Sequence, residues 1–155
     1  MRHFSIAVVV MLGCTRPKVD LMAERAAVLK TVAAENAHLL ASDTAALRAD
    51  FPAGDTAYNV VNGQIMLMTR ANVVAAYDFA NVRYTAVTTL DSPVVHLSPD
   101  GRMAWVVVQF RFTYTDRKTA AEQHELINAA LAVYEKQGGR WVGTALAQTF
   151  PPAQH

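Results

Sequence analysis

At 155 residues, 52% of them hydrophobic and 17% charged, the chain has enough apolar material for one packed domain and too little charge for a disordered one. A formal charge of +1, with no basic stripe interleaved with aromatics, excludes recruitment of nucleic acid by bulk electrostatics. One cysteine excludes an internal disulfide framework, and six prolines and seven glycines are too few for a low-complexity chain.

The N-terminus reads as a separate object. Met1-Arg2-His3 is a short basic start, Phe4 to Leu12 is an almost unbroken apolar run, and Gly13-Cys14 is followed by polar Thr15-Arg16-Pro17-Lys18. This is the layout of a secretory leader, and the run is too short to span a bilayer, which takes about 20 apolar residues. Gly13-Cys14 resembles the bacterial lipoprotein box, whose cysteine receives a diacylglyceryl group and becomes the new first residue. That resemblance implies a lipid anchor on Cys14, the membrane as a partner through it, and a place at the bacterial cell envelope facing the periplasm or the exterior. The other reading is a buried N-terminal strand with a core cysteine. The divisions expected are a signal peptide over 1–13, a linker over 14–19, a domain over 20–150 and a tail over 151–155.

The domain opens with a helix capped by Asp20, because Leu21, Val28, Leu29, Val32, Leu39 and Leu40 recur at helical spacing among alanines. Glu24, Arg25, Lys30 and Glu35 are expected on its wet side. A second, short helix fits Ser42 to Arg48 and ends before Pro52, since a proline pushes the residue before it out of the helical region. Asp55 to Gly63 then suggests a turn, a short strand and another turn, and Thr69 is a candidate cap for a weak helical piece reaching about Val74.

From Val82 the pattern changes to strands. Val82 to Leu90 is rich in β-branched residues, Pro93 to Leu97 is a short companion, and Ser98-Pro99-Asp100-Gly101 has the chemistry of a tight turn. Arg102 to Thr115 is the longest strand candidate. Its even positions Ala104, Val106, Val108, Phe110 and Phe112 are all apolar and face the core, whereas Trp105, Gln109 and Arg111 make the other face mixed. Leu126 to Phe150 reads as a closing hairpin, two apolar runs around Gly138-Gly139, although Thr119 to Glu122 looks like a capping box and periodicity alone allows a helix through Tyr134.

The order of these elements, with DFPAGDTAYNVVNG from Asp50, PDGRMAWVVV from Pro99 and YEKQGGRWVGTALAQT from Tyr134, resembles the nuclear transport factor 2-like superfamily, in particular its SnoaL-like and ketosteroid-isomerase-like bacterial members. The resemblance runs from about Asp20 to Phe150. It implies an α+β fold in which a cone-shaped, strongly bent antiparallel sheet packs on the N-terminal helices, with an apolar pocket between them and a homodimer through the sheet. It also makes Leu126 to Lys136 a strand. Under this reading the pocket candidates are His38, Tyr58 and Trp141, and the dimer face carries Trp105, Gln109 and Arg111.

In the isomerase-like members an acid takes a proton from the segment resembling Ala57 to Gly63. This chain has no carboxylate there and none in the strand Arg102 to Thr115, and neither an amide nor a valine can take a proton at ordinary pH. The inward positions of the closing hairpin are mostly Ala, Leu and Val, which shape a wall without adding chemistry. Glu122, His124 and Glu125 lack the second histidine of a helical zinc pair, with Asn128 in its place, so they read as a solvated loop. No nucleophile elbow, phosphate-binding glycine loop or calcium loop appears, and no catalytic residue, cofactor or metal is assigned. The expectation is therefore an envelope-anchored, non-catalytic module that binds a small apolar ligand or a protein. The alternative is a small isomerase, cyclase or hydrolase-type enzyme. A convergence of His38 with Asp55 inside the pocket is the observation that favours the enzyme.

Overall fold

The computed structural model describes residues 19–119 and 123–150; Cys14, its leader and the tail 151–155 lie outside the described residues. Helix α1, Leu21–Ala41, starts where Asp20 Oδ1 accepts the backbone N–H groups of Met22 and Ala23 at 3.0 and 3.1 Å. It ends at Ser42, whose left-handed backbone returns its N–H to Leu39 O at 3.0 Å. Helix α2, Thr44–Ala49, is capped in the same way by Asp43. Val28, Val32 and Leu39 form the buried stripe of α1, and Leu47 is the buried residue of α2.

Seven strands follow: β1 Thr56–Val61, β2 Gln64–Thr69, β3 Val82–Thr89, β4 Val94–Leu97, β5 Met103–Asp116, β6 Gln123–Gln137 and β7 Arg140–Thr149. They form one sheet in the order β2-β1-β7-β6-β5-β3, and β4 shares the β5 edge with β3. The expected α+β architecture stands, with a bent sheet packed on the N-terminal helix. One pairing differs from the expected all-antiparallel pattern: β1 runs parallel to β7, Tyr58 opposite Ala145, so the sheet is mixed. The β1–β2 hairpin turns tightly at Asn62-Gly63, both with positive φ, and comes to lie along the last strand.

Bending comes from bulges on the long strands. On β7, Thr144 is the extra residue between the pairs Tyr134–Gly143 and Val133–Ala145, and β3 carries another irregularity between Tyr84 and Ala86. The even positions of β5 face the core as the alternation predicts, with Ala104, Val106, Val108 and Phe110 all buried against Val28 and Val32.

Two local readings change, and one ambiguity is resolved. Ile65 to Met68 belongs to strand β2, and Thr69 ends that strand; the helical piece is a 3-10 turn at Val73–Tyr77, further along than expected. The strand expected over Leu126 to Lys136 stands against the helical alternative, because β6 is hydrogen-bonded on both sides, by β5 and β7, and that pairing outweighs a local helical period. His124 and Glu125 consequently stand on β6 opposite Tyr114 and Thr113, and His124 stacks on Tyr114 at 5.3 Å rather than lying in a loop.

Candidate functional site

Between α1 and the concave side of the sheet lies a cavity of about 270 Å³. Apolar side chains from every direction wall it: Val32 and Leu39 from α1, Met68 from β2, and Val106, Val108, Phe110 and Phe112 from β5. The polar groups come from places where the pattern alone predicts hydrocarbon. On α1, positions 28, 32, 35 and 39 form one helical stripe, and Glu35 occupies its third place. On β6, Asn128, Ala130, Ala132 and Tyr134 all point inward, so the hairpin does supply chemistry, contrary to expectation.

Glu35 is the centre of the site. Tyr134 donates its hydroxyl to Glu35 Oε2 at 2.8 Å, while Oε1 has no hydrogen-bond partner among the described residues. Burial penalises the ionised form and pushes the Glu35 carboxyl from 4.5 up to about 7; the Tyr134 hydrogen bond opposes this without cancelling it. Expected on the wet side of α1, Glu35 instead lines the cavity, and the 28-32-35-39 stripe is the signal that could have found it. The Tyr134 phenol is pushed above its ordinary range by burial and by the adjoining carboxyl. Tyr77, from the 3-10 turn, also lines the cavity, has no hydrogen-bond partner on its hydroxyl among the described residues, and is pushed up to about 12 by burial and then by Glu35.

Two asparagines complete the wall. Asn128 is 2% exposed and donates Nδ2 to Gln148 Oε1 at 2.7 Å; its Oδ1 is buried without a partner, as is Oδ1 of Asn59 on β1. Gly143, beside the β7 bulge, leaves room in front of the acid: a Cβ there would lie 3.7 Å from Tyr134 Cε1 and 3.8 Å from Glu35 Oε1.

The predicted pocket residues are distributed differently. His38 sits at the end of α1, half-buried, with Nδ1 at 2.7 Å from Asp50 Oδ2, and it is Asp50 of this pair that borders the cavity. The convergence of His38 with Asp55 that would favour an enzyme does not occur. Asp55 pairs instead with Arg70 Nε at 2.8 Å, and Arg70 also holds the carbonyls of Arg48 and Pro52, which ties the loop after α2 to β2. Tyr58 borders the cavity but is 59% exposed, since Ala57 and Asn59 take the half-buried positions on either side of it along β1.

Trp141, 5% exposed, belongs to the core rather than the cavity lining. Its Nε1 donates to Glu24 Oε2 at 3.0 Å, Lys136 Nζ donates to the other oxygen of Glu24 and lies over the indole ring, and the first turn of α1 is thereby fixed to the closing hairpin. The Lys136 hydrogen bond holds the Glu24 carboxyl below its ordinary range.

No family model matches the chain, and no curated protein does. Solved structures do match in fold. The chain is similar to a nuclear transport factor 2-like superfamily protein from Salmonella enterica, with a TM-score of 0.70 and 10% identity over 87% of this chain and 96% of that one. It is similar to a nuclear transport factor 2-like protein from Cytophaga hutchinsonii, with a TM-score of 0.66 and 16% identity over 82% and 98%. A nuclear transport factor 2-like protein with a cystatin-like fold from Novosphingobium aromaticivorans gives a TM-score of 0.65 and 12% identity over 86% of each chain. The architecture is therefore the nuclear transport factor 2-like fold. Identities this low carry the fold and nothing about function.

Proposed function

We propose that this domain holds a small, largely apolar molecule in the cavity, with one polar end of that molecule against Glu35, Tyr134 and Tyr77. The observation that carries the reading is the cavity itself: a walled space of about 270 Å³, apolar on most sides, into which the half-buried Glu35 carboxyl projects a free oxygen. A ligand of the right shape gains dispersion contacts from such a lining and hydrogen bonds from its polar groups. The test is native mass spectrometry of the protein purified from its own host, beside Ala132→Leu, which fills the cavity from the β6 wall. A small molecule retained by the natural chain and lost from the filled variant supports the reading; identical spectra refute it.

A second reading, proton transfer at Glu35, is favoured by one specific observation. A carboxyl pushed up to about 7 exchanges its proton near neutral pH, and Tyr134 can stabilise an oxygen beside it. Its test is exchange of carbon-bound hydrogen on the retained molecule in D2O, present with the natural chain and lost with Glu35→Gln.

The setting of the domain is proposed on sequence grounds, with a lipid on Cys14 anchoring it to the cell envelope. A second copy is proposed to cover the outer side of the sheet, where Val94, Trp105, Val107 and Leu131 are exposed and His96 stacks on Trp105 at 5.4 Å.

A further inference from the structure

We infer that the ligand of this cavity is an amine: an apolar body carrying one protonated nitrogen, seated with that nitrogen at Glu35 Oε1. The inference rests on the binding reading above and names the chemical class that reading leaves open. Its basis is the sign of the ionisable groups in the wall, whose amides from Asn36, Asn59, Asn128 and Gln148 offer donors as well as acceptors. Glu35 and Asp50 are the ionisable acids lining the cavity, and among the described residues no lysine or arginine lines it. Asp50 is engaged by His38, so the negative charge left to a ligand is that of Glu35.

The buried side-chain atoms of the lining without partners agree, Arg111 Nε lying outside it. Glu35 Oε1, Asn59 Oδ1 and Asn128 Oδ1 are all acceptors, and the Tyr77 hydroxyl can accept as well as donate. The Asn128 amide is held in its orientation by the bond from Nδ2 to Gln148, which leaves the negative end of its dipole unanswered beside the cavity. An ammonium group is a donor and never an acceptor, with three N–H bonds to give, which is the complement of this set. Around it, Phe110, Phe112, Tyr77 and Tyr134 present aromatic rings that tolerate a cation and cover an apolar body. A carboxylate or phosphate in the same place would meet a like charge and buried acceptors, and the cavity rejects it.

The ion pair would also change the acid. Burial disfavours the ionised form of Glu35, and a bound ammonium removes that penalty, so amine binding strengthens as pH rises and Glu35 loses its proton. The groups facing Glu35 that share in this balance are Asp50 and His38 at one end, and Tyr134 and Tyr77 at the other.

The experiment is calorimetric titration of the natural chain and of Glu35→Gln with three probes of one shape: 2-phenylethylamine, 2-phenylethanol and phenylacetate, at about pH 8 where a carboxyl of this kind is ionised. Gln accepts the Tyr134 hydroxyl as Glu does, so the variant keeps its internal hydrogen bond. The amine is expected to bind the natural chain at least roughly tenfold more tightly than the alcohol, phenylacetate is expected not to bind, and Glu35→Gln is expected to bring amine and alcohol within about threefold of each other. An amine no tighter than the alcohol overturns the inference and leaves the binding reading standing, as does an amine preference that survives in Glu35→Gln. A flat titration with all three probes overturns both. Were the Asn128 and Gln148 amides turned over together, a donor would replace an acceptor in the wall; phenylacetate binding as tightly as the amine would be the sign of it and overturns the inference too.

Discussion

Replacing Glu35 by Gln should make the protein more stable at neutral and alkaline pH, the reverse of what removing a hydrogen-bonded acid ordinarily does. The folded chain holds this carboxyl at about 7, against 4.5 for an ordinary one. Below about pH 4.5 both folded and unfolded chains carry the proton, and the group has no pH dependence. Between the two values the unfolded chain releases its proton and the folded chain keeps it, so stability falls as pH rises; above about 7 the loss is complete. A difference of two to three pH units at about 1.4 kcal/mol per unit gives a loss of about 3 kcal/mol. Gln has no proton to release, yet it still accepts the Tyr134 hydroxyl. Urea denaturation followed by tryptophan fluorescence, run at intervals from about pH 4 to about pH 8, measures the difference between the two proteins. It should move by about 3 kcal/mol in favour of Gln over that range. Curves that stay parallel, or a natural chain that gains on the variant at high pH, would refute the buried-acid argument.

Three further outcomes are expected. Trp141→Ala should cost about 3 to 5 kcal/mol, since it empties a core site and removes the indole donor to Glu24 Oε2, while Trp141→Phe should cost well under half of that; a near-neutral Ala variant in thermal denaturation would contradict the core placement. Analytical sedimentation should show a dimer at micromolar concentration, abolished by Val107→Glu on the outer face, and a monomer at high micromolar concentration would count against that face as an interface. Mass spectrometry of the membrane fraction should find a diacylated chain beginning at Cys14, and a soluble chain with residues 1–13 intact would sink the lipoprotein reading.

Most of the scaffold could be read from the residues. The alternation along Arg102 to Thr115 placed its five apolar even positions on one side, and the structure has them facing the core or the cavity. Asp20 announced the start of α1 because a short acid before an apolar stripe is a local signal, answered within three residues. The site was less legible. Residue type alone puts Glu35 in water, although its position on the helix matches Val28, Val32 and Leu39. Tyr134 and Asn128 were hidden in the same way among the small residues of β6. Their partners are distant: Tyr134 and Glu35 are 99 residues apart, and no local pattern reports such a pairing. Trp141 is a candidate for packing and for the pocket alike in the sequence, because a large aromatic after a turn serves either until its neighbours are known, and the structure places it in the core.

The parallel pairing of β1 with β7 has a consequence for the order in which the molecule is made. β1 lies early in the chain, yet its neighbour is the last strand, and the clasp from Phe150 N–H to Asn62 Oδ1 joins residues 88 apart. Everything between must be synthesised before β1 can take its place, and the entropy of closing that loop falls due before any contact repays it. Asn59 sits on β1, and Gln148, which orients Asn128, sits on β7. The β1–β7 side of the cavity is thus the last to close: during synthesis α1 and strands β3 to β6 can pack while the ligand chamber still lacks that wall, and a chain cut short before β7 leaves it open.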